Sequence, residues 1–130
     1  MARSCYNGAV KWLERTVDAE CERARNALAA FGDSPSDDCL HDVRTTCRRL
    51  RSLLEDLSDC IPRSKLLKNT KRVAAWTDSP RDAAVMRELL ERTVDESERS
   101  GAAQLFEALE RRETEAGERA RKKLARMELA

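Results

Sequence analysis

Apolar residues recur every three or four positions along most of the chain, which is the spacing of one face of an α-helix. The first such run covers about Ser4–Phe31, the second covers 36–60 and the third covers 63–76. A fourth run begins near Pro80 and a fifth follows Gly101. The pattern therefore predicts an all-α fold in which about five amphipathic helices form one bundle.

Short segments of Gly, Ser, Asp and Pro mark the ends of the predicted helices. The segment 32–36 separates the first helix from the second, and Ser36 or Asp37 is suited to cap the second helix. The segment 77–80 has the composition of a helix start, with Ser79 as a capping residue and a proline in the first turn. We therefore expect one helix to end and the next to begin within this segment.

Length and composition are typical of a helical domain rather than of a membrane protein. The 130 residues suffice for a single domain over 1–130, and 38% charged with 4% aromatic residues favour salt-bridged helices over a sheet. No apolar stretch reaches the length of about 18 residues that a membrane span needs. The N-terminal residues lack the apolar core of a secretory signal, so we expect a cytoplasmic protein.

The five cysteines do not form a recognisable metal or redox motif. They are Cys5, Cys21, Cys39, Cys47 and Cys60, and neighbouring members are at least eight positions apart. Zinc and redox motifs place two cysteines within about two to four residues of each other. We interpret these residues as reduced thiols, several of them buried as small apolar side chains, and expect neither a metal site nor a cofactor.

The second predicted helix carries the only histidine of the chain and a dense row of arginines. At about 100° per residue, His41, Arg44, Arg48 and Arg51 fall within an arc of roughly 80°. Arg49 is adjacent to this row in sequence, and leucine, valine and cysteine positions occupy the opposite side. Because like charges at helical spacing repel one another, the row predicts that a negatively charged ligand lies along it.

Positive charge is concentrated in one part of the chain, although the net charge is only +1. The window 41–72 contains nine Lys or Arg and four Asp or Glu, while the rest contains 16 basic and 20 acidic residues. Within this window, the third predicted helix presents Lys65, Lys68 and Arg72 on one face. Helices two and three are joined by a short turn and should pack antiparallel. We therefore expect the two rows to flank one groove and to attract polyanions.

Three other functions are compatible with parts of this pattern. A phosphotransfer bundle also uses a lone helical histidine, but beside lysine and small residues, whereas His41 lies among arginines. A nucleic-acid-binding module would bind phosphates with the same arginines, although Trp76 is the only aromatic residue close to the basic segment in sequence that could stack on bases. A helical scaffold needs no ligand. No acid pair, nucleophile–base set or glycine-rich loop accompanies the row, so we do not expect an enzyme.

Two short motifs resemble the CHAD domain, the conserved-histidine α-helical domain. The first, HDVRTTCRRLRSLL, is similar to the family's His-x-x-Arg-x-x-x-Arg-Arg-x-Arg helix. The second, TDSPRDAAV, is similar to a turn with an Arg-Asp pair and an aliphatic residue, here Arg81, Asp82 and Val85. The resemblance is specific over about 36–90. Family members usually carry a second bundle with its own basic helix, so this chain resembles half of a two-bundle arrangement.

The resemblance implies a module that binds inorganic polyphosphate, or another linear polyanion, on a basic surface of helices 36–60 and 63–76. The binding residues that it implies are His41, Arg44, Arg48, Arg49, Arg51, Lys65, Lys68, Arg72 and Arg81. We expect the histidine to donate to bound phosphate rather than to accept a phosphoryl group. A homodimer would restore the two-bundle arrangement, and Met127 in the last helix is expected to need such a partner surface.

Overall fold

The computed structural model describes residues 2–129, with side chains from residue 8 onward, as four α-helices. Helix α1 spans Ala2–Asp33, α2 spans Asp37–Asp56, α3 spans Ser64–Thr93 and α4 spans Ala103–Ala125. Each helix packs on the next, and α4 returns to touch α1, which closes the bundle. The all-α prediction is confirmed, with four helices in the described residues where the sequence predicts about five.

Polar contacts between helices establish that α3 and α4 run antiparallel. Near the start of α3, Asn69 Nδ2 donates to the backbone oxygen of Leu129, just beyond the end of α4, at 3.1 Å. Near the end of α3, Arg87 Nε donates to Glu113 Oε2, in the first half of α4, at 2.6 Å. The first half of α3 therefore lies beside the last turns of α4.

The core is built from the periodic apolar positions that the sequence pattern indicates. On α2, these buried residues are Leu40, Val43, Cys47, Leu50 and Leu54. They lie opposite the predicted arginine row, as expected from the helical spacing. Leu50 and Val43 have no exposed surface, and Val17 of α1 and Val73 of α3 are equally buried against them. The buried apolar face of α2 thus determines which side of this helix faces solvent.

The start of α2 matches the prediction from composition. Ser36 is the N-cap residue, and its side chain accepts a hydrogen bond from the backbone nitrogen of Cys39 at 3.2 Å. Asp37 and Asp38 follow in the first turn, where a negative charge interacts favourably with the helix dipole. The cap therefore sets the register of the residues that carry the arginine row.

Helix α3 continues through the segment 77–80, so the predicted break at this position is wrong. Pro80 lies inside the helix and is buried. The buried side of α3 continues across the proline, because Val73, Thr77 and Ala84 are buried with it at helical spacing. Packing on both sides of the proline therefore outweighs the backbone hydrogen bond that a proline cannot form.

Side-chain hydrogen bonds support the turn of α3 that precedes the proline. Thr77 Oγ1 donates to the backbone oxygen of Val73 at 2.8 Å. From α2, Arg44 Nη1 donates to the backbone oxygen of Ala74 at 3.3 Å. The first contact stabilises the turn internally, and the second joins it to α2.

Residues 127–129 fold back on the bundle rather than extending from it. Met127 packs against the core and Leu129 is buried. The argument that Met127 needs a partner surface is therefore wrong, because the chain itself covers this residue. The homodimer stays a prediction. No helix among residues 2–129 is both long and apolar enough to cross a lipid bilayer.

Candidate anion-binding grooves

The groove between α2 and α3, hereafter the α2/α3 groove, brings three of the predicted arginines together. Its cavity has a volume of about 320 Å³. The lining residues are Arg44, Cys47, Arg48 and Arg51 from α2 and Thr70, Val73, Ala74 and Asp78 from α3. The arginines occupy successive turns of one wall because α2 buries its opposite side.

Arg44 is held in place by three acceptors on α3. Its Nη1 atom donates to Asp78 Oδ1 at 2.9 Å and to Thr77 Oγ1 at 2.8 Å, in addition to the backbone of Ala74. The Asp78 carboxylate compensates part of the charge of this guanidinium. Arg44 is therefore ordered in advance, and it joins α2 to α3 at the wall of the cavity.

Arg48 and Arg51 are held less tightly than Arg44. Arg51 Nε donates to Glu55 Oε1 at 3.1 Å, and both of these side chains are more than two-fifths exposed. An exposed pair of this kind exchanges partners at little cost in free energy. Arg48 is exposed, and no acid of the described residues pairs with it. The uncompensated positive charge of the α2/α3 groove is therefore centred on Arg48.

The floor of the α2/α3 groove is neutral. Burial raises the pKa of the Cys47 thiol to about 11, so this sulfur stays protonated at neutral pH. The Thr70 hydroxyl donates to the backbone oxygen of Leu67 at 2.7 Å, which leaves its oxygen as an acceptor. Neither group is prepared to attack a bound phosphate, and neither adds charge to the floor.

Besides the basic row of α3, three predicted residues lie outside this cavity. His41 is exposed one turn before Arg44, and its Nε2 is 3.5 Å from the hydroxyl of Thr45. Arg49 is exposed on the outer side of α2. Arg81 is half-buried near the start of α2, where its charge acts on Asp37. These residues surround the α2/α3 groove without lining it.

The basic row of α3 faces a different groove from the row of α2. Lys65 and Arg72 line a cavity of about 790 Å³ between α3 and the last turns of α4, hereafter the α3/α4 groove. Its other lining residues are Asn69, Trp76, Arg119, Lys122, Lys123, Arg126, Met127 and Glu128. Lys68 is exposed on α3 and lines neither of these two cavities. The two predicted rows therefore line two grooves instead of flanking one.

The basic residues of α4 were missed at the sequence level. The segment 119–126 contains five Lys or Arg and no acid, which is a local signal as strong as the arginine row of α2. Averaging charge over everything outside 41–72 conceals it, because acid-rich segments such as 88–98 and 107–118 enter the same total. Its position beside α3 depends on helix docking, which the sequence pattern does not specify.

A separate cluster of charges, centred on Arg87, has a structural role where α3, α4 and the start of α2 meet. Arg87 is only 20% exposed and pairs with Glu113, Glu91 and Asp37, which joins α3 to α4 and to the start of α2. Burial and the neighbouring Glu113 raise the pKa of Asp37 above its usual range, while Arg87 and Arg81 oppose this effect. The three carboxylates compensate the charge of Arg87, so this cluster is not an anion-binding site.

Comparison with known protein families gives a match over most of the chain. The family model described as the CHAD domain matches residues 17–129. The matched span begins in the first half of α1 and extends to the C-terminal segment, so it includes both basic grooves. No curated protein and no solved structure gives a significant match.

Proposed function

The chain belongs to the CHAD domain family, and on that premise we propose that it binds inorganic polyphosphate through the basic α2/α3 groove. The observation that carries the proposal is the convergence of Arg44, Arg48 and Arg51 on one open cavity. Guanidinium groups bind phosphate oxygens in bidentate fashion and keep their charge at all physiological pH values. A row of three suits a ligand that repeats its negative charge along a line.

The three arginines have different roles in the proposed complex. Arg44 is already ordered by Asp78 and Thr77, so it offers its remaining nitrogen atoms without a further loss of side-chain entropy. Arg48 has no acid partner in the described part of the chain, so phosphate binding costs it no existing ion pair. Arg51 exchanges the exposed Glu55 carboxylate for a phosphate oxygen. His41 and Arg49 extend the basic surface along α2.

We propose binding without catalysis. The two polar groups on the floor of the α2/α3 groove are the protonated Cys47 thiol and the Thr70 hydroxyl, which donates to the backbone. Neither is activated as a nucleophile, which supports a binding role over phosphoryl transfer. His41 is offered as a hydrogen-bond donor to phosphate.

A direct binding experiment tests the proposal. Long-chain polyphosphate, duplex DNA and single-stranded RNA are titrated separately against the chain at two salt concentrations. We expect polyphosphate to bind most tightly and its affinity to fall as salt rises, because bound phosphates release counterions; this rule is taken from nucleic acids. Tighter binding of either nucleic acid would favour the phosphate-backbone alternative, and no binding of any of the three would contradict the proposal.

A matched pair of variants shows whether the α2/α3 groove is responsible. R48Q/R51Q removes two charges from the groove and spares Arg44, which has a structural role. R111Q/R112Q removes two exposed charges from α4, away from both grooves. We expect the first variant to bind polyphosphate roughly tenfold more weakly, because two ion pairs to exposed side chains contribute about that much to affinity. We expect the second variant to bind nearly as tightly as the wild type. Equal losses in the two variants would mean that net charge alone controls binding.

A further inference from the structure

We propose that the α3/α4 groove is a second phosphate-binding site, and that one linear polyphosphate chain crosses α3 to occupy both grooves. This inference rests on the proposed function and adds to it the residues of α4 and the path of the ligand. It assigns a binding role to Arg119, Lys122, Lys123 and Arg126.

The charge of the α3/α4 groove is less compensated than that of the α2/α3 groove. Six of its lining residues are basic and one, Glu128, is acidic. None of the six forms an ion pair with a described residue, whereas Arg44 and Arg51 of the other groove each have an acid partner. Ion pairs do form elsewhere in the bundle, as with Arg63 and Asp18 at 2.6 Å. Six cations that surround one cavity without an ion pair to a described residue suit a polyanion.

The C-terminal residues hold one wall of the α3/α4 groove in a fixed position. Asn69 Nδ2 donates to the backbone oxygens of Glu128 and Leu129, at 3.2 and 3.1 Å. Leu129 is buried, which anchors the segment that follows Arg126. Trp76 is half-buried and packs against the core from the α3 side of the groove. The basic side chains therefore project from a rigid frame, which lowers the entropy cost of binding.

The exposed face of α3 connects the two grooves with further positive charge. Starting from Ala74 in the α2/α3 groove, Lys71 lies about 60° further around the helix and Lys68 about another 60°. The next position around the helix is Arg72, which already lines the α3/α4 groove. The segment 64–77 contains no acid at all. A linear polyanion that crosses α3 thus meets cations along its whole path.

Occupation of both grooves by one chain predicts that affinity depends on chain length. Tripolyphosphate is too short to leave one groove and reach across a helix of about 10 Å diameter into the next. A long chain that binds in one groove is held at high effective concentration near the other, so its affinity exceeds that for either groove alone. The number of phosphates is the variable that separates this arrangement from a single site.

Trp76 provides a signal that reports on the α3/α4 groove. Trp12 is the other tryptophan, and it is 62% exposed on α1. The variant W12F therefore leaves Trp76 as the only tryptophan at small cost to the fold. In this background, we expect long-chain polyphosphate to change the emission of Trp76. The same titration in W12F/R48Q/R51Q should still change the emission, at higher ligand concentration.

The variant K122Q/R126Q tests the groove by affinity, with R111Q/R112Q as the control that removes the same charge from the same helix. We expect K122Q/R126Q to bind long-chain polyphosphate roughly tenfold more weakly than the control. We expect tripolyphosphate to show a smaller difference between the two variants. Far-UV circular dichroism checks that both variants remain helical.

The outcomes separate this inference from the proposed function. If long chains bind and R48Q/R51Q weakens them, but K122Q/R126Q matches its control and Trp76 emission is constant, the second site is wrong and the first stands. If long chains and tripolyphosphate bind with equal affinity per phosphate, the crossing path is wrong. If the wild type binds neither, the proposed function and this inference both fail.

Discussion

At the scale of single residues, Arg44 and Arg48 look equivalent in the sequence and have different roles in the structure. Both belong to the basic row of α2, one turn apart. Arg44 donates to Asp78, Thr77 and the backbone of α3, and its side chain is 31% exposed. Arg48 is exposed and has no acid partner among the described residues. The sequence pattern identifies the row, but it does not reveal which member stabilises the fold and which is available to a ligand.

This difference leads to a prediction about stability. We expect R44Q to lower the free energy of unfolding by about 1–2 kcal/mol, because it removes hydrogen bonds between α2 and α3 from a partly buried site. We expect R48Q to change it by less than about 0.5 kcal/mol, as is usual for an exposed side chain. Urea unfolding followed by circular dichroism measures both. An R44Q variant as stable as R48Q would contradict the structural role of Arg44.

At the scale of helices, the sequence predicts α2 well and α3 poorly. The buried seam, the Ser36 cap and the basic row of α2 all follow from local periodicity and capping chemistry. On α3, the segment 77–80 resembles a helix start, yet buried residues continue on both sides of Pro80 and stabilise one continuous helix. The two-groove arrangement depends on where α4 docks, and long-range docking has no local signature in the sequence.

The junction of α2, α3 and α4 predicts a dependence of stability on pH. Burial and Glu113 raise the pKa of Asp37, so the folded state favours the protonated carboxyl more than the unfolded state does. Ionised Asp37 therefore destabilises the fold above this raised pKa, and the effect disappears as the pH falls below the unfolded value. The neighbouring Asp38 lies in the same first turn of α2 and is exposed to solvent.

We therefore expect D37N to be more stable than D38N at pH 7. Both variants lose one negative charge at the N-terminus of α2, so the helix dipole contributes equally to the two. Only D37N relieves the contact with Glu113. The difference should shrink when thermal unfolding is repeated near pH 3, where Asp37 is protonated in the wild type as well. A D37N variant less stable than D38N at pH 7 would show that the ion pair between Asp37 and Arg87 stabilises the fold by more than burial of the Asp37 carboxylate destabilises it.

At the scale of the whole molecule, the basic grooves and an exposed apolar face lie along different halves of α3. The two basic grooves flank its first half. Its second half exposes Val85, Met86 and Leu89 on one face, and Met86 and Leu89 are 54% and 58% exposed. In the same half of α3, Arg87 pairs with Asp37 of the first turn of α2. The surface that binds phosphate in our proposal is thus separate from the surface available to another protein chain.

We predict that this apolar face joins two copies of the chain in a homodimer. A two-fold dimer applies the same patch to itself, and it would present two sets of basic grooves to one polyphosphate chain, which raises avidity. L89K should therefore shift the wild-type dimer to a monomer, because it buries a charge in the interface. W12K is the control, since Trp12 is similarly exposed but lies on α1, outside the proposed interface. Sedimentation velocity at micromolar concentration measures the mass, and a wild-type particle of 14.8 kDa, with and without polyphosphate, would rule the dimer out.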